Sequence, residues 1–169
     1  DAAASADYDG SSGASPPAGR RLPQWITPHR YRVCLLTYIE KNFTFEGRVY
    51  IDVTVSSDVK DRFSIALHSG DNLNVTEAGV VVRKTSPEDQ DDVYSCEATD
   101  TSKNHTEVLP VRSHSYENAT EIYTIHLGGE GVVAGSNYTL VLPFVGRLKD
   151  NLYGYYKSSF KDSVTGEKR

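Results

Sequence analysis

The chain has 169 residues and a mass of 18.7 kDa, with 38% hydrophobic residues, 24% charged residues and a formal net charge of -5. A chain of this size buries roughly 70% of the surface its unfolded form exposes, enough for one hydrophobic core and against wholesale disorder. Acidic residues outnumber basic ones 23 to 18 with no basic run, which excludes a nucleic-acid footprint, and no long uncharged apolar stretch is present to span a membrane as a helix.

Residues 1–20 are Ala, Ser, Gly, Pro and Asp apart from Tyr8 and Arg20. Such a stretch cannot bury enough apolar area to offset its ordering entropy, so it is expected to be a flexible linker or stalk ahead of one domain over 21–169. Met is absent, even at position 1, as expected of a processed or excised piece whose signal peptide or anchor would lie upstream.

From Arg21 onward the dominant signal has period two in segments rich in β-branched and aromatic residues. Tyr31, Val33, Leu35, Thr37 and Ile39 form one face of a first strand. Arg48 to Ser56 puts Val49, Ile51, Val53 and Val55 on one face and Tyr50, Asp52 and Thr54 on the other. Phe63 to His68, Leu73 to Val75, Gly79 to Lys84, Val93 to Glu97, Glu107 to Arg112, Glu121 to Leu127 and Asn137 to Val145 complete the predicted strands. Gly128 to Gly131 reads as a hairpin turn. Pro143 cannot donate to a ladder, so the last strand is expected at an edge or at a bulge. No apolar stripe of helical period persists, and the expected fold is all-β: an antiparallel sandwich or an open, strongly twisted sheet.

Five of the seven asparagines open an N-x-Ser/Thr triplet: Asn42, Asn74, Asn104, Asn118 and Asn137. Chance would place roughly one, so N-linked glycans and the secretory pathway are expected, with an extracellular or cell-surface location. Asn137, in the strand-like SNYTLVLPF, is the weakest of the five. Cys34 and Cys96 are either a disulfide, which that compartment favours, or two buried thiols. If bonded, their loop of about 60 residues would contribute roughly 4 kcal/mol through lost chain entropy.

Catalytic signals are missing. His29, His68, His105, His114 and His126 never adopt the His-Glu-x-x-His spacing that holds zinc on a helix face, and no nucleophile elbow or phosphate loop occurs. Glu88, Asp89, Asp91 and Asp92 do not match a calcium loop and read as a solvated segment. No catalytic residue, metal ligand or cofactor site is therefore expected in this chain.

Three ordered stretches add a family resemblance. They are Arg21-Leu22-Pro23-Gln24-Trp25-Ile26-Thr27-Pro28-His29-Arg30-Tyr31-Arg32-Val33 with Phe45-Glu46-Gly47-Arg48-Val49-Tyr50-Ile51; Ile65 to Leu73; and Asn137-Tyr138-Thr139-Leu140 with Phe144 to Leu148 and the closing Leu152-Tyr153-Gly154-Tyr155-Tyr156-Lys157-Ser158-Ser159-Phe160. Together they resemble the N-terminal β-domain of the aminopeptidase N-like zinc metalloaminopeptidases, over residues 21–169. On that reading Pro23 and Pro28 hold an extended lead-in, Gly47 turns the chain into the second strand, and Leu152 to Phe160 forms a compact aromatic unit. The resemblance implies a non-catalytic domain that packs on the catalytic domain of its parent and helps wall a cleft for peptides. It assigns the zinc, its ligands and the amine-gripping motif to that other domain; none of those motifs occurs before Arg169. The alternatives are a glycosylated adhesion or receptor-type sandwich and a domain that binds peptides by strand addition. An immunoglobulin order of Cys, Trp, Cys is absent, because Trp25 precedes both cysteines.

Overall fold

A computed structural model describes residues 21–40, 42–85, 96, 107–150 and 154–166. The expected stalk, the acidic run at 88–92, most of the expected strand Val93 to Glu97, and Asn104 lie outside the described residues. The strands among the described residues are β1 (Ile26–Tyr38), β2 (Thr44–Val55), β3 (Ser64–His68), β4 (Leu73–Val75), β5 (Val81–Thr85), β6 (Val108–Leu109), β7 (Val111–Glu117), β8 (Ile122–Leu127) and β9 (Asn137–Arg147), with a 3-10 turn at Glu77–Gly79. All strand pairs are antiparallel, as the period-two pattern and short connections require.

Two sheets result. The larger runs β1-β2-β9-β5-β6 with β4 also on β9, and the smaller runs β3-β8-β7. Register sets the faces: Ile51 opposes Tyr31 and Leu140, and Val53 opposes Tyr138, so the odd residues of β2 and the even residues of β9 point inward together. Against them the smaller sheet presents Ile65, Tyr123, Ile125 and Leu127, and the two sets form one core with Val55, Val80, Val82, Leu109, Val132 and Leu142. Burying such side chains contributes roughly 1.5–3 kcal/mol each.

Several sequence expectations are corrected here. Glu107 to Arg112 is two strands, not one: Pro110 separates β6, which pairs β5, from β7, which pairs β8 in the other sheet. The Gly128–Gly131 segment is a turn but not a hairpin, because it carries the chain from β8 in the smaller sheet to β9 in the larger. Gly131 takes φ +67°, and a Cβ there would lie 2.2 Å from the Arg62 carbonyl oxygen, so only glycine fits. Gly47 stands inside β2 rather than at a turn; a Cβ would lie 2.4 Å from the Cys34 carbonyl oxygen and 2.8 Å from the Phe144 ring. Its use is close approach within the sheet.

Pro143 sits neither on an edge nor in a bulge. It lies within central β9, opposite Arg48. A strand residue's N–H and C=O face the same neighbour. The Pro143 carbonyl accepts the Thr76 N–H at 2.8 Å, so the missing N–H faces the interval between β4, which ends at Val75, and β5, which starts at Val81. The partner strand is broken where proline needs it to be. Pro28 behaves differently: β1 already pairs with β2 from Ile26, and the register shifts between Pro28 and Arg30 on this edge strand. The lead-in is thus shorter than expected.

Candidate functional site

Among the described residues no group of three or more His, Cys, Asp or Glu is placed to hold a metal ion. Three of the described histidines, His29, His114 and His126, contact neighbouring hydroxyl groups. His126 Nε2 lies 2.9 Å from Ser115 Oγ, and His29 Nε2 lies 2.8 Å from Thr54 Oγ1. Asp61 accepts from Ser64 Oγ and from the Phe63 N–H, which hold its carboxyl below the ordinary carboxylate range. Ser115, His126, Ser64 and Asp61 thus neighbour one another around β3, β8 and β7.

His114 and Tyr123 form a second pair. Their rings stack with centroids 5.5 Å apart, and the Tyr123 hydroxyl lies 2.7 Å from His114 Nδ1. Burial, and secondarily the Glu77 carboxylate, push the Tyr123 phenol up to about 12. The protonated ring is favoured in the folded state, so its contribution is complete below pH ~10, the free-phenol value, and is lost as pH rises through about 12. Alkaline unfolding followed by circular dichroism should therefore steepen across that window, and Tyr123→Phe should flatten it. An unchanged profile in the variant would remove Tyr123 as the cause.

On the outward face of the larger sheet, polar side chains tie three strands. Arg30 Nε donates to Asp52 Oδ2 at 2.8 Å, Arg32 Nη2 lies 3.6 Å from Asp52 Oδ1, and buried Thr139 donates to Asp52 Oδ1 at 2.7 Å. The Arg32 guanidinium also lies over the Tyr50 ring, 5.7 Å from its centroid. This arrangement joins β1, β2 and β9.

The same face carries the Cys34–Cys96 disulfide, with Cα atoms 5.6 Å apart and a sequence separation of 62. It points away from the core rather than pinning the two sheets together, unlike the immunoglobulin bond. Cys96 falls in sequence between β5 and β6, yet is bonded to β1, separated from β5 by β2 and β9.

The distinctive surface is apolar. Tyr31, Val33 and Leu35 share the inward face with Val49 and Ile51, but β1 is the outer strand of the larger sheet and they remain 59%, 55% and 48% exposed. At one end this strip meets a narrow cavity of about 70 Å³ walled by Pro23, Trp25, Pro28, Tyr31, Ile51 and Leu67. At the other end Thr37 Oγ1 lies 2.8 Å from the Tyr155 hydroxyl, and Tyr155 packs edge-on against buried Phe45 with centroids 5.2 Å apart. Leu152 and Tyr153 of the closing motif lie outside the described residues; of the rest, Tyr155, Tyr156 and Phe160 are all exposed, and Tyr155 packs on Phe45. Tyr31 to Leu35 spans roughly 13 Å of exposed apolar sheet at ~3.3 Å per residue. Period two revealed this face in the sequence, but not its exposure.

Of the triplet asparagines, Asn42, Asn74 and Asn118 are exposed and Asn137 is half-buried. The family model for the Peptidase M1 N-terminal domain matches residues 27–169. Endoplasmic reticulum aminopeptidase 1 of Rattus norvegicus is 27% identical over 160 residues, covering 94% of this chain and 14% of that protein. Aminopeptidase N of Oryctolagus cuniculus is 27% identical over 147 residues, covering 84% of this chain and 13% of that protein. The chain thus spans about one seventh of the length of these curated relatives. With an all-β fold and a family match over nearly the whole described region, the chain belongs to the Peptidase M1 N-terminal domain family.

Proposed function

We propose that this is the non-catalytic N-terminal domain of a zinc-dependent aminopeptidase of the secretory pathway or cell surface, which removes N-terminal residues from peptides. Its exposed β1 strip docks on the catalytic domain and helps wall the substrate cleft. The zinc and the groups that activate water belong to that partner. One observation carries this reading: Tyr31, Val33 and Leu35 continue the core face of the larger sheet, yet each remains about half exposed. An apolar sheet face of that kind is stabilised by a further layer, and the family supplies one. The disulfide supports an oxidising compartment.

Full-length protein and the isolated chain provide the test. Zinc-dependent hydrolysis of aminoacyl chromogenic substrates is expected only from the full-length protein. Val33→Asp should change the stability of the isolated domain by about 1 kcal/mol or less, because the site is exposed and at an edge. In the full-length protein the same change should release the N-terminal domain to proteolysis. Equal protease resistance of the two full-length forms would exclude the strip as the docking face.

A further inference from the structure

We propose that Asn42, Asn74 and Asn118 carry N-linked oligosaccharides that crown one end of the sandwich, and that Asn137 stays bare although its triplet is complete. The proposal stands on the geometry of the asparagines and is independent of the docking reading.

The three exposed asparagines converge although 76 residues separate the first from the last. Asn42 lies in the turn between β1 and β2, and the neighbouring Phe43 carbonyl accepts the Leu148 N–H at 2.7 Å. Asn74 lies in β4 opposite Val145, and the nearby Asn72 carbonyl accepts the Arg147 N–H at 3.3 Å. Both triplets therefore flank the C-terminal end of β9. Asn118 lies in the turn between β7 and β8, whose Glu121 carbonyl accepts the Ser69 N–H at 2.9 Å. The Tyr116 hydroxyl donates to the Ser69 carbonyl at 3.0 Å, so that turn is held against the loop leading into Asn74.

Each of these positions meets the needs of the modification. The asparagine Nδ2 forms a bond to the anomeric carbon of a sugar and loses one proton. The bond from that carbon to a lipid-linked pyrophosphate breaks, and the pyrophosphate leaves with the electron pair. A bulky product must then project into solvent, as it can from a turn or a short edge strand. At Asn42 the carbonyl side of the amide is occupied by its own triplet, since Thr44 Oγ1 donates to Asn42 Oδ1 at 2.6 Å, which leaves the nitrogen side for the sugar.

Asn137 has the same sequence signal in a different place. It begins β9 at the opposite end, about 33 Å of strand away from Arg147. It is paired on both sides, with Thr54 and Thr85, and its Oδ1 accepts the Thr54 hydroxyl at 2.6 Å. The hydroxyl of its triplet, on Thr139, is buried and committed to Asp52. A sugar on Asn137 would have to rise from a half-buried position in a central strand, where the amide is held by Thr54.

The test is the full chain secreted from animal cells, with the folded protein treated with peptide N-glycosidase in heavy-oxygen water and mapped by mass spectrometry. Each released site becomes a heavy-oxygen-labelled aspartate. Label is expected on most copies of Asn42, Asn74 and Asn118 and on almost none of Asn137. Substantial label at Asn137, or its absence at any of the other three, would overturn the proposal. Asn74→Gln provides a second reading: it should remove one glycan's mobility shift and leave the melting transition in place, whereas an unchanged mobility counts against the proposal.

Discussion

Ile125→Ala is expected to lower the unfolding free energy by about 3–5 kcal/mol. Ile125 is fully buried in β8, the central strand of the smaller sheet, with Ile65 opposite on one side and His114 on the other. Removing its side chain leaves a cavity facing the inward rows of β2 and β9, and paired strands cannot collapse into it without giving up register. Domains of this size hold only about 5–15 kcal/mol in total, so the loss is a large fraction of the whole. Urea denaturation should show a lower midpoint at an unchanged slope. Leu36→Ala, at an exposed position of β1, should move the midpoint little. Similar shifts for the two variants would mean that the sheets do not enclose the core described.

Replacing both cysteines, Cys34→Ser with Cys96→Ser, is expected to cost about 4 kcal/mol, from the loop entropy restored to the unfolded chain. The double variant avoids leaving one reactive thiol. The bond joins positions 62 residues apart in sequence, on β1 and between β5 and β6. Local contacts therefore do little to substitute for it. Thermal melts in oxidising and reducing buffer should differ for the parent chain and coincide for the variant. A parent chain indifferent to reductant would show that the cross-link contributes nothing.

How much was legible beforehand depended on whether the signal was local. Faces were legible: the alternation of Val49, Ile51, Val53 and Val55 against Tyr50, Asp52 and Thr54 correctly separates the two sides of β2. Partners were not, because pairing joins residues distant in sequence. Pro110 reads as one residue in a strand until β6 and β7 are seen in different sheets. Pro143 points to an edge unless one knows that its neighbour is interrupted between Val75 and Val81. Gly47 gives no local hint that Phe144 lies across from it. The Tyr31-Val33-Leu35 row was visible as an apolar face, but its exposure was not.

The placement of β9 bears on how the domain is made. Among the described residues, three of the five strand pairings in the larger sheet run through it, yet it comes last in sequence of the described strands. A growing chain can form the β1–β2 hairpin early, but β4 and β5 have no common neighbour until residue 147 has emerged. Assembly is dominated by distant contacts, which makes folding slow and leaves apolar edges exposed during synthesis. A chain truncated just before Asn137 would accordingly retain most of its strands and still be prone to aggregation, for want of the one that joins them.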